Sequence, residues 1–154
     1  MDNQISVWLL PLRYGFSAGT PVGLGVRYQK ELVPQGFIHW TNGMRDEFGL
    51  EGGVDYVHSN PNIGAFRWSY NEFDIVVGAV WNFWVLPELA LYPKVDLGVG
   101  IESFSSVDGV SSPGGYGGFF VSGAVGAAYR IADRVLLRAE VGNNDIRVGV
   151  GFNF

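Results

Sequence analysis

The sequence predicts an all-β fold: a closed antiparallel up-and-down barrel that crosses a membrane on eight strands. Three observations carry the prediction. Apolar residues recur at every second position in successive runs. The opposite face of each run is filled with glycine, other small residues and charges of both signs. Aromatic residues gather where the runs end.

The composition points the same way. A chain of 154 residues reads as one domain, 1–154. Hydrophobic residues make up 47% of it and charged residues only 16%, against roughly a quarter in soluble domains, so much of the surface is expected to face something other than water. A membrane helix needs about 18 uninterrupted apolar residues. The best candidate, Ile75 to Leu86, is shorter and holds Asn82. The start, Met1-Asp2-Asn3-Gln4, has neither a basic nor an apolar leader region, so the expectation is a mature exported chain given a start Met in place of its leader. No cysteine is present, which removes disulfides, thiolate nucleophiles and Cys-ligated metals. A net charge of -5 lacks the basic footprint that nucleic acid requires.

The runs follow in order along the chain. The first, around Ser6 to Phe16, has no clear phase. In the second, Val22, Leu24, Val26 and Tyr28 oppose Gly23, Gly25, Arg27 and Glu31. In the third, Phe48, Leu50, Val54 and Tyr56 oppose Gly49, Glu51, Gly53 and Asp55. The fourth sets Phe73, Ile75, Val77, Ala79, Trp81 and Phe83 against Asp74, Gly78 and Asn82. Pro87-Glu88 then breaks the chain before Leu91, Val95, Leu97, Val99 and Ile101, which alternate with Lys94, Asp96, Gly98, Gly100 and Glu102. Phe119, Val121, Val125, Ala127, Tyr129 and Ile131 oppose Ser122, Ala124, Gly126 and Arg130, and Ala132-Asp133 is turn-like. Val135, Leu137, Ala139 and Val141 then face away from Arg138, Glu140 and Gly142. Ile146, Val148, Val150, Phe152 and Phe154 face away from Arg147, Gly149, Gly151 and Asn153.

An even count closes a barrel. Connections alternate between tight (Pro87-Glu88, Ala132-Asp133) and open (Ser59 to Glu72, Ser105 to Gly118), the asymmetry of short periplasmic turns and long external loops. Two connections break the pattern: Asn143-Asn144-Asp145 is short on the loop side, and Val33 to Glu47 is long on the turn side. Residues 36–42 and 64–70 offer an alternative, an extra strand pair making ten, although neither is long enough to cross alone.

Orientation follows from the polar face. A soluble carrier barrel of the lipocalin type would turn its apolar face inward. Here the polar face mixes small residues with Arg27, Glu31, Glu51, Asp55, Asp74, Lys94, Asp96, Glu102, Arg130, Arg138, Glu140 and Arg147. An eight-stranded barrel is just wide enough for side chains to fill, so these charges are expected inside as a paired, plugging network rather than a conducting path.

With this pattern, and with the closing Asp145-Ile146-Arg147-Val148-Gly149-Val150-Gly151-Phe152-Asn153-Phe154, the chain resembles the small outer-membrane barrels of the OmpA transmembrane domain and OmpX type. The resemblance implies a bacterial outer-membrane location, outer-membrane lipids as surroundings, and recognition of the terminal Phe154 strand by the outer-membrane assembly machinery. The long Val33 to Glu47 segment departs from that family.

Chemistry is sparse. His58-Ser59-Asn60 sits where a strand meets a probable loop and invites a comparison with barrel enzymes that deacylate lipid A, with Glu51 or Asp55 orienting the imidazole. Neighbours on a strand point to opposite faces, which opposes that pairing, and the motif is one residue short of the enzymes' pattern. Two distant histidines give no metal set, and Gly114-Gly115 and Gly117-Gly118 lack the setting of a phosphate loop, so no metal or cofactor is expected. The expected function is non-enzymatic: a membrane scaffold whose loops 59–72 and 105–118, with Trp68, Tyr70 and Tyr116, serve envelope integrity, adhesion or recognition of a surface ligand.

Overall fold

The computed structural model describes residues 3–13, 21–40, 43–60, 62–63, 66–106 and 116–154. Among these, every regular element is a strand: β1 (Asn3–Arg13), β2 (Val22–Val33), β3 (Arg45–Ser59), β4 (Asn62–Ile63), β5 (Phe66–Trp84), β6 (Leu89–Ser106), β7 (Tyr116–Ala132), β8 (Val135–Gly142) and β9 (Asp145–Asn153). No described helix is long and apolar enough to cross a membrane.

Eight of these strands form the wall. Each pairs antiparallel with the next, β3 joining β5 directly through Tyr56↔Phe73, and Val7 of β1 faces both Val26 of β2 and Val150 of β9, so the sheet closes on itself. The seam is completed at the last residue, whose amide donates to Asn3 O at 3.1 Å. Closure satisfies the backbone hydrogen bonds that lipid could not.

Several sequence expectations change here. Eight wall strands replace the ten-strand alternative, because 66–70 are the beginning of β5 itself and 36–40 lie off the sheet. The first strand runs from Asn3 to Arg13, not from Ser6 to Phe16, whose last residues lie outside the described ones. Its phase is now set: Val7 and Leu9 point out, Ser6, Trp8 and Leu10 point in, and the register with β9 shifts between Leu9 and Leu12 around Pro11. The two external loops are shorter than the sequence suggested. Ser59 still pairs with Tyr70, and Tyr70 packs on Phe104 at 4.8 Å, so the wall continues where a loop was expected and the first connection shrinks to 60–65, where Asn62 and Ile63 pair with Arg67 and Phe66. The second loop keeps only 107–115, outside the described residues.

The rim is uneven as a result. On the loop side β8 ends at Gly142, opposite Ala124, whereas β7 continues back to Tyr116. Its residues 117–122 pair with β6 on one edge and, among the described residues, with no strand on the other.

Candidate functional site

Alternation along the strands sorts side chains into a wall facing out and a lumen facing in. Outside, Leu24, Val26, Ile75, Val77, Val95, Val99 and Val125 form an apolar belt, and Val125 is 64% exposed. A soluble monomer rarely exposes more than a few hundred Å² of contiguous apolar surface, whereas this belt circles the barrel. Inside, Arg27, Glu51, Asp55, Lys94, Asp96, Arg138, Glu140 and Arg147 are buried. This polarity is the reverse of a soluble carrier and matches a lipid-facing wall.

The lumen charges cross-link strands that do not touch. Glu51 on β3 receives Lys94 Nζ of β6 at 2.7 Å on one oxygen and Arg138 Nη1 of β8 at 3.2 Å on the other. Lys94 also reaches Asp96 (3.2 Å) and Glu140 (3.3 Å), and Arg138 reaches Glu140 at 3.4 Å. Tyr92 donates its hydroxyl to Glu140 at 2.9 Å and accepts from Arg138 Nε at 3.3 Å. Toward the loop side, Arg27 pairs with Asp55, which also takes Arg147 Nη1 at 3.1 Å. Arg147 grips Asp145 with two parallel bonds of 2.8 and 2.7 Å. Such forked pairing and multiple partners offset the desolvation that makes a buried charge costly. Glycine makes the room: a Cβ at Gly78 would fall on the Asp96 carboxylate.

The remaining sequence-selected charges take other positions in the lumen and at its ends. Arg130 stacks on the Trp84 ring at 4.7 Å, with Arg45 at 5.0 Å from the same ring, near the short-turn end. Glu31 lines a cavity of about 30 Å³ at that end, together with Trp84 and Arg138, room for one or two waters. Glu102, half-buried, stands opposite Glu72 toward the loops and makes no ion pair among the described residues. Asp74 is buried opposite Asp55. Four members of the lumen network are not singled out by the sequence. Asp145 stands in a turn-like stretch, Tyr92 on an otherwise alternating strand, Gln4, which accepts from Arg138 at 2.7 Å, before the first run, and Gln29, which accepts from Arg138 at 3.4 Å, at the end of the second. The inward parity of Tyr92 with Lys94 was the available signal.

At the loop-side rim His58 stands on the outer face, its Nδ1 2.8 Å from Asn71 Oδ1, which also accepts from Tyr56 OH at 2.7 Å. Ser59 is buried on the inner face. β3 is still regular there, so the two side chains diverge. His39 is exposed at the opposite end of the barrel, beyond β2.

No family model matches the sequence, and no curated protein does. Solved structures do. Ail, the attachment invasion locus protein of Yersinia pestis, superposes with a TM-score of 0.65 at 17% identity over 100% of both chains. Neisserial surface protein A gives 0.52 at 15% identity, covering 99% of this chain and 96% of that one. The N-terminal β-barrel domain of Pseudomonas aeruginosa OprF gives 0.51 at 15% over 99% and 98%. The chain has the fold of the small outer-membrane barrels. That fold and the apolar belt together place this barrel in the bacterial outer membrane.

Proposed function

We propose that this outer-membrane barrel is a non-enzymatic surface-recognition scaffold, in which a rigid, plugged lumen holds up a raised sheet and its loops. The observation that carries the reading is the extension of β5, β6 and β7 beyond the rest of the rim, with one edge of β7 unpaired from 117 to 122 among the described residues. An open edge can take an added strand from a partner, main chain to main chain. The connections 60–65 and 107–115 contain no Lys or Arg, and the adjoining start of β5 adds a single cation, Arg67, paired with Asn62. One structure of Ail is a complex with the heparin analogue sucrose octasulfate. The loops here lack the cations such a polyanion would need, so an extended protein segment on another surface is the better-supported ligand. The surroundings are outer-membrane lipids, and Phe154, exposed at the end of the closing seam, is the contact offered to the assembly machinery.

The test is the variant Phe119→Pro, Val121→Pro, which removes two donors from the edge of β7 toward which the Gly123 amide also points and leaves the ladder with β6 in place. The variant barrel should fold and stay heat-modifiable on gels while cells displaying it lose adherence to host or neighbouring cells. Adherence equal to that of the native chain would overturn the proposal.

A further inference from the structure

The connection between β2 and β3 does not hang into the periplasm. Gly36, at φ 60°, follows the Pro34-Gln35 turn and donates to Val33 O at 3.1 Å; this left-handed conformation suits glycine, and a Cβ there would strike the Asp46 carboxylate. The chain then doubles back over the outside of the wall. Asp46 occupies an outward-facing position of β3, opposite Phe83 and in line with Phe48 and Leu50, yet it is 0% exposed. Its two oxygens accept four N–H groups: the backbone amides of Phe37 (2.8 Å) and Ile38 (3.3 Å), and the indoles of Trp40 (3.1 Å) and Trp81 (2.8 Å). Rings fasten the rest. Phe37 lies 5.6 Å from Phe48 and 5.8 Å from Trp81, and Trp40 stands edge-on to Phe83 at 6.4 Å.

We propose that residues 37–40 form an interfacial anchor that sits in the periplasmic leaflet and binds its phospholipid at the boundary between headgroups and acyl chains. The flap is fixed on its inner side and apolar on its outer side, where Phe37 is 59% and Ile38 39% exposed. The flap lies against the outward face of the wall, on Phe48, Trp81 and Phe83. A carboxylate facing lipid would ordinarily be prohibitive. Here all its donors are supplied by protein, so the site needs no water and tolerates a dry surround. Tryptophan beside exposed apolar residues is the composition that the membrane interface selects.

The chain has no cysteine, so a single nitroxide can be placed at will. Phe37→Cys, labelled and refolded into phosphatidylcholine and phosphatidylethanolamine vesicles, is compared by electron paramagnetic resonance with Val125→Cys on the lipid belt and Asp133→Cys on a short turn. The label at 37 should favour oxygen over an aqueous nickel complex, with a depth between the two controls. In the Asp46→Asn background the label should move toward the accessibility of position 133, because one acceptor becomes a donor. Gel mobility shows folding in each case, and the reading in the native background stands even where Asp46→Asn fails to fold. Nickel accessibility at 37 equal to that at 133 in the folded native background would overturn the proposal.

Discussion

Arg138 and Glu51 meet at 3.2 Å across the full width of the lumen. Their strands, β8 and β3, stand four places apart whichever way the eight-stranded wall is followed, so this pair ties opposite sides of the barrel together. Glu51 also holds Lys94. Glu51→Gln therefore leaves three buried cations, Arg138, Lys94 and Arg27, short of their shared anion, and its unfolding free energy should drop by about 3–5 kcal/mol. Urea titration in lipid vesicles would show this as an earlier midpoint with unchanged slope. The double variant Glu51→Gln, Lys94→Met should recover part of the loss, and a Glu51→Gln midpoint equal to that of the native chain would show the network to be energetically idle.

The assignment of wall and lumen has its own test. Val125 faces lipid and Ser122 faces in, opposite Asp96, whose Oδ1 has no hydrogen-bond partner among the described residues. Val125→Arg should cost roughly 2–4 kcal/mol if it lies near the bilayer midplane. Ser122→Lys should be absorbed beside Asp96 at little cost. Comparable losses in the two variants would mean that inside and outside are exchanged.

Most of the wall was legible in the sequence because each strand has unlike neighbours on its two sides, lipid and a charged lumen, and the pleat writes that difference as a period of two. Legibility failed where the two sides stop differing. In β1 the inward Trp8 and Leu10 are as apolar as the outward Val7 and Leu9, so no phase could be read. At the top of β5 the inward Tyr70 looks like loop aromatic material until Phe104 is seen to pack on it. The flap misled for the opposite reason. Residues 36–42 are apolar enough for a strand because Phe37 and Ile38 are turned outward and exposed, and only the convergence of four donors on Asp46 reveals the fold-back of 37–40. Pairing across the lumen was not readable at all, since Glu51 and Arg138 are brought together by closure rather than by spacing.

Tyr92 bridges the network through its hydroxyl, and Gly126 lies under its ring, where a Cβ would overlap the ring atoms. Tyr92→Phe keeps the ring and removes two bonds to charged partners, so a loss of about 1.5–3 kcal/mol is expected. Gly126→Val should destabilise as well, by displacing the ring, and Gly126→Val combined with Tyr92→Ala should be better tolerated than Gly126→Val alone. Denaturant midpoints of these barrels and of Tyr92→Ala alone check both statements, and additive losses in the double variant would rule out the steric coupling.

The final prediction separates scaffold from lipid A deacylase, and it rests on His58 because His39 lies at the far end of the barrel. A hydrolase of that kind needs a serine hydroxyl within about 2.6–3.2 Å of the imidazole and a carboxylate behind it. His58 instead faces outward and spends its Nδ1 on Asn71, while Ser59 is buried on the other side of a regular strand. The two candidate carboxylates, Glu51 and Asp55, are inside the lumen and already hold Lys94, Arg138, Arg27 and Arg147. Refolded into lipid vesicles containing lipid A, the native barrel should release no fatty acid above the level of empty vesicles. His58→Ala and Ser59→Ala should fold, remain heat-modifiable and leave that baseline unchanged. Acyl release by the native barrel, lost in both variants with folding intact, would replace the scaffold with an enzyme and would require β3 to break its regular pairing at Ser59 when substrate binds.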